Sequence, residues 1–558
     1  MNRESLPMMS ACTRLPALVF PLRPLSGVWV GWGVLTGFLA CGPVSAQPTQ
    51  PAAAGVSSPA TGLARVRGFV VEGDNPLTAG EEALALAPFL RAELTLDTLQ
   101  KATAALEAAL QKKGHTLHRV VMPPQEVTET LTLKVVHFSV GQVEVAGASH
   151  FGQDNIRRSL PELQEGGTPF LGLLAVQTAL ANENPSKQVQ VALRASQDDP
   201  DLIDATVRVK DSAPLQLSVN LSNTGSSASG RDRLTVSGGH ANVFDRDHQF
   251  LAAYTTSLSR PGDVRQLGLT YRVPLYGLGG MVDASYTRST VVGQFGTFSS
   301  TGAGHTWGMS YTHHYGTAEG LTRFAVLGWE DKVFDAAELN GVSLVGQQQR
   351  RSRPLTLSYK ARRQGDASYW DAGVSLAVNL PTGRGNDLTS YQTERPAITT
   401  ARWTALRAQA GRVDGWGSGW LLGWRMQAQW SPTALIAGEQ FGVGGVGSLR
   451  GAGERVLAGD SGLSTSVELS SPEWTTGLRS LLFVDASWLH SRQATGSLAP
   501  VSDSAASVGV GLRLARAGFV LALDYGRIVQ GSRMPAVLNP NAPQRGDHKI
   551  HLNLSARF

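Results

Sequence analysis

Cysteine is almost absent from this sequence: Cys12 and Cys41 are the only two in 558 residues, and both sit near the front. A chain trimmed beyond Cys41 has no thiol, no disulfide and no cysteine metal site, which suits transport in unfolded form into an oxidising compartment. Charge is scarce as well, at 17% of residues against roughly 25% in ordinary domains. The net charge of +5 is modest, and no dense Lys/Arg run is interleaved with aromatics, so nucleic acid is not an expected partner. Past the N-terminal segment no apolar run reaches the ~18 residues of a spanning helix. If such a chain spans a membrane, it does so as a closed barrel, because lipid satisfies no open backbone group.

What is abundant is glycine, 62 residues, alongside 42% hydrophobic residues. Few charges and many glycines suit an all-β protein with many turns and a surface half in lipid. The N-terminus reads as a signal peptide over residues 1–46. Arg14 and Arg23 precede the apolar stretch Val28–Ala40, and Val44-Ser45-Ala46 offers small residues for cleavage before Gln47. Residues 47–62 are rich in Pro, Ala, Ser and Thr without periodicity, and read as a linker.

Residues 63–140 and 141–212 look like one small α+β unit written twice. In the first copy, a strand from Arg65 ends at Glu72-Gly73-Asp74, and a helix is expected over Ala79–Leu90. A second helix follows, with Thr95 as N-cap and Leu96, Leu99, Leu106 and Leu110 on one face. It closes with Lys112-Lys113 before Gly114. Strands are expected near Thr116–Met122 and Thr130–Phe138. The pattern restarts with a strand at Gln142–Val145, and Gly147 takes the place of Gly73 at an offset of 74 residues. Helices near Asp154–Leu160 and Leu171–Asn182 and strands near Val189–Arg194 and Ala205–Val209 complete the second copy.

From residue 213 to 558 the period drops to two. Leu215, Leu217, Val219 and Leu221 alternate with Gln216, Ser218, Asn220 and Ser222. The same texture returns at Val374–Leu380, at Val508–Leu514 and at Ile550–Phe558, with no convincing amphipathic helix between. At about 9–11 residues per spanning strand plus connections, this length allows about 16 antiparallel strands. An arginine facing lipid at mid-depth costs about 2–4 kcal/mol, so Arg513 belongs on the lumen side.

Three other motifs carry little. Gly442-x-Gly444-x-x-Gly447 matches a dinucleotide fingerprint but is followed by loop residues rather than a helix. Gly459-Asp460-Ser461-Gly462 echoes a serine nucleophile, yet no base can be assigned to it by spacing. His313 and His314 are adjacent, so on a strand they point to opposite faces and share no metal. No catalytic, cofactor or metal site is expected.

The order of parts resembles the two-partner secretion transporters, the TpsB family. Met122-Pro123-Pro124-Gln125 is similar to a first-domain signal of that family. Asn184-Pro185 with Gln188-Val189 and Leu193-Arg194 is similar to a second-domain segment, and Asn223-Thr224-Gly225 with Gly230 and Asn242 resembles its first barrel hairpin. The strongest likeness is Phe441–Gly451, whose Gly447, Leu449, Arg450 and Gly451 match a loop with Val-Arg-Gly-Tyr at its tip. Leu449 stands for Val, and Ala452 for the aromatic. Phe483-Val484-Asp485 resembles the wall strand whose Asp receives that Arg, and Phe558 resembles the terminal aromatic of outer-membrane assembly signals.

The resemblance implies tandem POTRA domains in the periplasm, residues 63–140 and 141–212, before an outer-membrane barrel. It also implies export of an unfolded partner exoprotein of haemolysin or adhesin type, met by the POTRA domains, and insertion into outer-membrane lipid by the barrel-assembly machinery. Arg450 and Asp485 would lock a hairpin in the lumen. The family's N-terminal plug helix has no counterpart in residues 47–62, so plugging is absent or left to the Arg450 hairpin. An insertase of other barrels and a passive porin are the competing readings. Insertases of the related group usually carry three to five POTRA domains, and a porin needs none.

Overall fold

The computed structural model describes residues 65–558, apart from 126–127, 296, 319, 337, 340–341, 344–347 and 494–496. The expected signal peptide, linker and both cysteines lie outside the described residues.

The first α+β unit comprises β1 (Gly68–Gly73), α1 (Ala79–Leu86), α2 (Leu96–Lys112), β2 (His118–Val121) and β3 (Thr130–His137). The second comprises β4 (Ser139–Ala146), α3 (Gln153–Ser159), α4 (Leu171–Ala181), β5 (Lys187–Ala195) and β6 (Leu202–Asp211). Both sheets have the same plan: β1 lies parallel to β3 with β2 antiparallel on the other side, and β4, β6 and β5 repeat it. Gly73 and Gly147 show why the repeat is legible. Each has φ near +90°, and a Cβ there would meet the carbonyl oxygen of Val135 at 2.2 Å or of Val209 at 2.4 Å. Only glycine fits where the first strand turns away under its neighbour.

Helix α2 starts as the sequence predicts, with the Thr95 hydroxyl accepting from the Thr98 N–H and Leu99, Ala102, Leu106 and Leu110 buried, but Leu96, expected on the buried face with them, is exposed at the first position of the helix. Helix α1 is shorter than expected and gives way at Leu86 to a 3-10 turn over Ala87–Phe89. Pro88 removes a donor and its ring clashes with the preceding turn. Strand β4 begins at Ser139, two residues after β3 ends, so a boundary at 140/141 falls inside it.

From Leu215 onward the long strands form a closed antiparallel barrel of sixteen strands, counting Arg350–Ser352 and Pro354–Gln364 as one interrupted strand, while three short two-stranded hairpins lie in the connections. The alternation sets the faces. Val508, Val510 and Leu512 are exposed to the outside, while Arg513 turns inward to Asp524 at 2.8 Å. Exposed Trp307, Trp416, Trp424, Trp430 and Trp488 add the aromatic side chains expected at membrane interfaces. No described helix is long and apolar enough to cross a membrane. Helix Leu388–Gln392, in the connection between the ninth and tenth strands, was not expected. Its five residues, capped by Asp387, are too few for an apolar period to show.

The barrel closes between Leu215–Ser222 and His548–Arg557. Beyond their ladder, the Asn223 side chain acts as a further strand residue: Nδ2 donates to the Ile550 carbonyl at 2.7 Å and Oδ1 accepts from Leu552 N at 2.9 Å. The Phe558 N–H donates to the Leu217 carbonyl while its ring stays exposed. Because the first strand leaves the second α+β unit directly, the short turns lie on that unit's side and the long connections lie opposite.

A buried polar joint ties that unit to the barrel. Lys187 Nζ lies 2.5 Å from Asp247 and 3.1 Å from Asn155 Oδ1, and Asp247 also accepts from Tyr276 at 2.6 Å. Phe244, Asp245 and Asp247 in this turn all have left-handed φ between 53° and 60°. Contacts from the α+β unit hold the turn in that conformation: Gly152 N and Arg158 Nη2 both reach Asp245. Burial holds the Lys187 ammonium below its ordinary range despite the Asp247 carboxylate. Burial, with Asp247 beside it, pushes the Tyr276 phenol well above its own.

Candidate functional site

The connection 431–460, between the eleventh and twelfth strands, does not project outward. It turns into the barrel as a hairpin whose arms Phe441–Val443 and Leu457–Gly459 pair antiparallel. Phe441, Val443, Leu449 and Leu457 are buried, packing with Ile528 of the wall. Gly444 and Gly445 take positive φ where the arm bends, and a Cβ on Gly445 would strike the Glu454 carboxylate.

At the tip, Arg450 is fully buried, with 0% of its surface exposed. Its Nε and Nη2 grip Asp485 Oδ2 and Oδ1 at 2.9 and 2.6 Å, and its backbone N–H adds a third bond at 3.0 Å. Nη1 donates to Glu468 at 2.8 Å and Nη2 to Ser466 at 2.9 Å. The guanidinium carbon sits 3.4 Å from the centre of the Phe483 ring. The planar fork of arginine suits this combination of a two-point carboxylate and an aromatic face; the point charge of lysine does not.

Backbone approach completes the docking. A Cβ on Gly526 of the wall would lie 2.6 Å from the Arg450 carbonyl carbon and oxygen, and one on Gly451 would lie 2.9 Å from Ile528 N. His551 Nε2 donates to the Arg450 carbonyl at 2.8 Å. Higher up, buried Glu439 receives Lys332 at 3.3 Å, Arg407 at 3.0 Å and Ser352 at 3.0 Å.

Arg450 and Asp485, named from sequence, are thus brought together, with Leu449 and Gly451 packed beside them. Gly447 lies in the turn whose Gly445 carbonyl accepts from Ser448 and Leu449 N–H groups. Phe558 lies apart, at the end of the last strand. The sequence reading missed Glu468, Ser466 and His551, and missed the Phe483 ring as the stacking partner. Alternation in Ser464-x-Ser466-x-Glu468 was the available signal, since it sets all three on the lumen face. His313 and His314 do diverge: His314 is buried against Phe324, while His313 meets the Tyr315 ring edge-on. No group of three metal-ligating residues occurs among the described residues. A cavity of about 410 Å³ adjoins the tip, lined by Gly453, Asn541, His548 and Lys549 among others.

Residues 203–514 match the haemolysin secretion/activation proteins ShlB/FhaC/HecB, and residues 64–137 match their POTRA domain. The chain belongs to that family. It is an outer-membrane transporter of two-partner secretion, with its POTRA region in the periplasm and its long connections at the cell surface. The outer membrane transporter CdiB of Escherichia coli O6:K15:H31 (strain 536 / UPEC) is 24% identical over 471 residues, 80% of this chain and 76% of the relative. The solved structure of CdiB from Escherichia coli has a TM-score of 0.70 at 19% identity, covering 91% of this chain and 93% of that one. That of CdiB from Acinetobacter baumannii has 0.65 at 14%, covering 90% and 91%.

Proposed function

We propose that the Arg450 hairpin is the gate of this transporter and that its docking on Asp485 and Glu468 is the closed state. The observation that carries the reading is a fully buried guanidinium held by two carboxylates of adjacent wall strands. Burying such a pair costs several kcal/mol per ion in desolvation. A purely structural loop gains more from apolar packing, whereas a charged lock specifies one position and releases as a unit.

The cargo is an unfolded exoprotein that meets the POTRA sheets from the periplasm by adding a strand at an exposed edge, where β1, β2 and β4 each lack a neighbouring strand on one side among the described residues. It then moves the hairpin from its seat, passes through the lumen and folds outside, and that folding biases the direction. No nucleotide step is needed. The exposed Phe558 ring serves as the handle for the barrel-assembly machinery. The joint at Lys187 and Asp247 fixes the second POTRA unit under the barrel mouth, where it delivers the chain.

A disulfide joining the hairpin tip to the wall strand Phe519–Gln530 tests the gate. Secretion should stop under oxidising conditions and return on reduction. Unchanged secretion with the bond formed would rule the gate out.

A further inference from the structure

Gly459-Asp460-Ser461-Gly462 takes no part in the tip lock, yet Asp460 has 0% of its surface exposed. It is the point at which the hairpin returns to the wall, and its carboxylate draws in three surface segments. Arg395, from the connection 380–403, donates Nη1 to Oδ1 at 2.6 Å and Nη2 to Oδ2 at 3.2 Å. Leu435 N and Gln440 Nε2, on the outgoing arm, reach Oδ1 at 2.9 and 3.0 Å. Arg492 N, from the next connection, reaches Oδ2 at 2.8 Å.

Arg395 binds the same segments through their carbonyls, Leu435 O at 2.5 Å and Arg492 O at 3.0 Å. One cation and one carboxylate therefore hold both roots of the hairpin and the two flanking surface connections. Around them, Tyr391, Ile398 and Trp403 of the 380–403 connection pack on Ala434, Leu435 and Ile436 of the hairpin root. Glu394 adds a bond from Ala437 N at 2.7 Å. All of this lies at the outer end of the barrel, while Arg450 sits deeper, on other strands and other carboxylates.

We propose that Arg395 and Asp460 form an outer latch that holds the surface connections closed over the hairpin root, in series with the lock at its tip. This rests on the reading of the hairpin as gate. A chain leaving the lumen has to part the segments that Asp460 gathers, so both residues act as positioning residues for export. The latch is within reach of the cell surface, whereas the tip lock is not.

The test is single-channel recording of the full-length protein in planar bilayers, with heat-modifiable gel mobility confirming a folded barrel. Arg395→Gln removes the cation and its four bonds, and should raise the frequency of channel openings roughly tenfold or more. Arg412→Ala, which breaks the exposed Arg412–Asp414 pair at the periplasmic rim, should match the parent. A folded Arg395→Gln protein that opens no more often than the parent overturns the latch. Asp460→Asn gives the same test should Arg395→Gln fail to assemble. Asp485→Asn in the same assay separates the two claims. If it opens the channel and Arg395→Gln does not, only the latch fails; if it leaves the channel shut, the gate reading fails.

Discussion

Gly526→Ala tests hairpin docking without touching a charge. The new Cβ would lie 2.6 Å from the Arg450 carbonyl carbon and oxygen, so the tip must retreat by about 0.8 Å to reach a 3.4 Å contact. Neither neighbour is a flexible side-chain end, and the wall strand is fixed by pairing on both sides. Overpacking of this kind costs about 1–3 kcal/mol. The retreat also lengthens the 2.6 and 2.9 Å bonds to Asp485, so the lower end of that range does not apply. If the strain falls on the docked state alone, 2 kcal/mol raises the undocked population roughly 30-fold. Conductance of the purified protein reads that population as open probability, and gel mobility confirms the barrel. A folded variant whose open probability stays within about twofold of the parent would show that tip position and pore closure are uncoupled.

Asp485→Ala leaves Arg450 buried with Glu468 as its remaining carboxylate, and should weaken docking by about 3–5 kcal/mol; protease cleavage within 441–459 should appear where the parent resists. Lys187→Met strands Asp247 in the joint at a similar cost of about 3–5 kcal/mol, and hydrogen exchange should accelerate across the Val243–His248 turn while the far barrel strands keep their protection. Asn223→Ala removes two bonds from the closing seam, about 1–3 kcal/mol, and should lower the urea midpoint of the barrel's mobility shift. For Glu81, the Lys113 ammonium and the Thr78 N–H and hydroxyl hold the carboxyl down to about 2 from an ordinary 4.5. A depressed acid stabilises above its unfolded value and loses that contribution as pH falls. Protection at the start of α1 should therefore decline from pH 4.5 towards 2, and Glu81→Gln should remove that decline.

The parts of the fold visible in the sequence were those with a short period or a forced residue. Val510, Leu512 and Arg513 announce their faces because a strand alternates strictly, and Gly73 and Gly147 mark equivalent turns because nothing else fits beneath Val135 and Val209. Thr95 and Lys112 bound α2 by capping rules that act within one turn. Interactions between segments far apart in the chain left no such trace. Lys187 and Asp247 are 60 residues apart, and Arg395 and Asp460 are 65 apart. In sequence each reads as a solvated charge, and only the packing of those distant segments on one another removes water from it. Glu468 escaped because Asp485 already satisfied the expectation of one carboxylate for Arg450, although a guanidinium has donors for more. Helix α1 ends at Leu86, short of the expected Leu90, because Pro88 lacks the N–H a continuing helix needs.

The most direct test of the transport assignment compares secreted and outer-membrane proteomes of the native host with and without this gene. One large protein should disappear from the medium or cell surface while the other outer-membrane barrels keep their levels. Depletion of many outer-membrane barrels would contradict the assignment and make the chain an assembly factor instead.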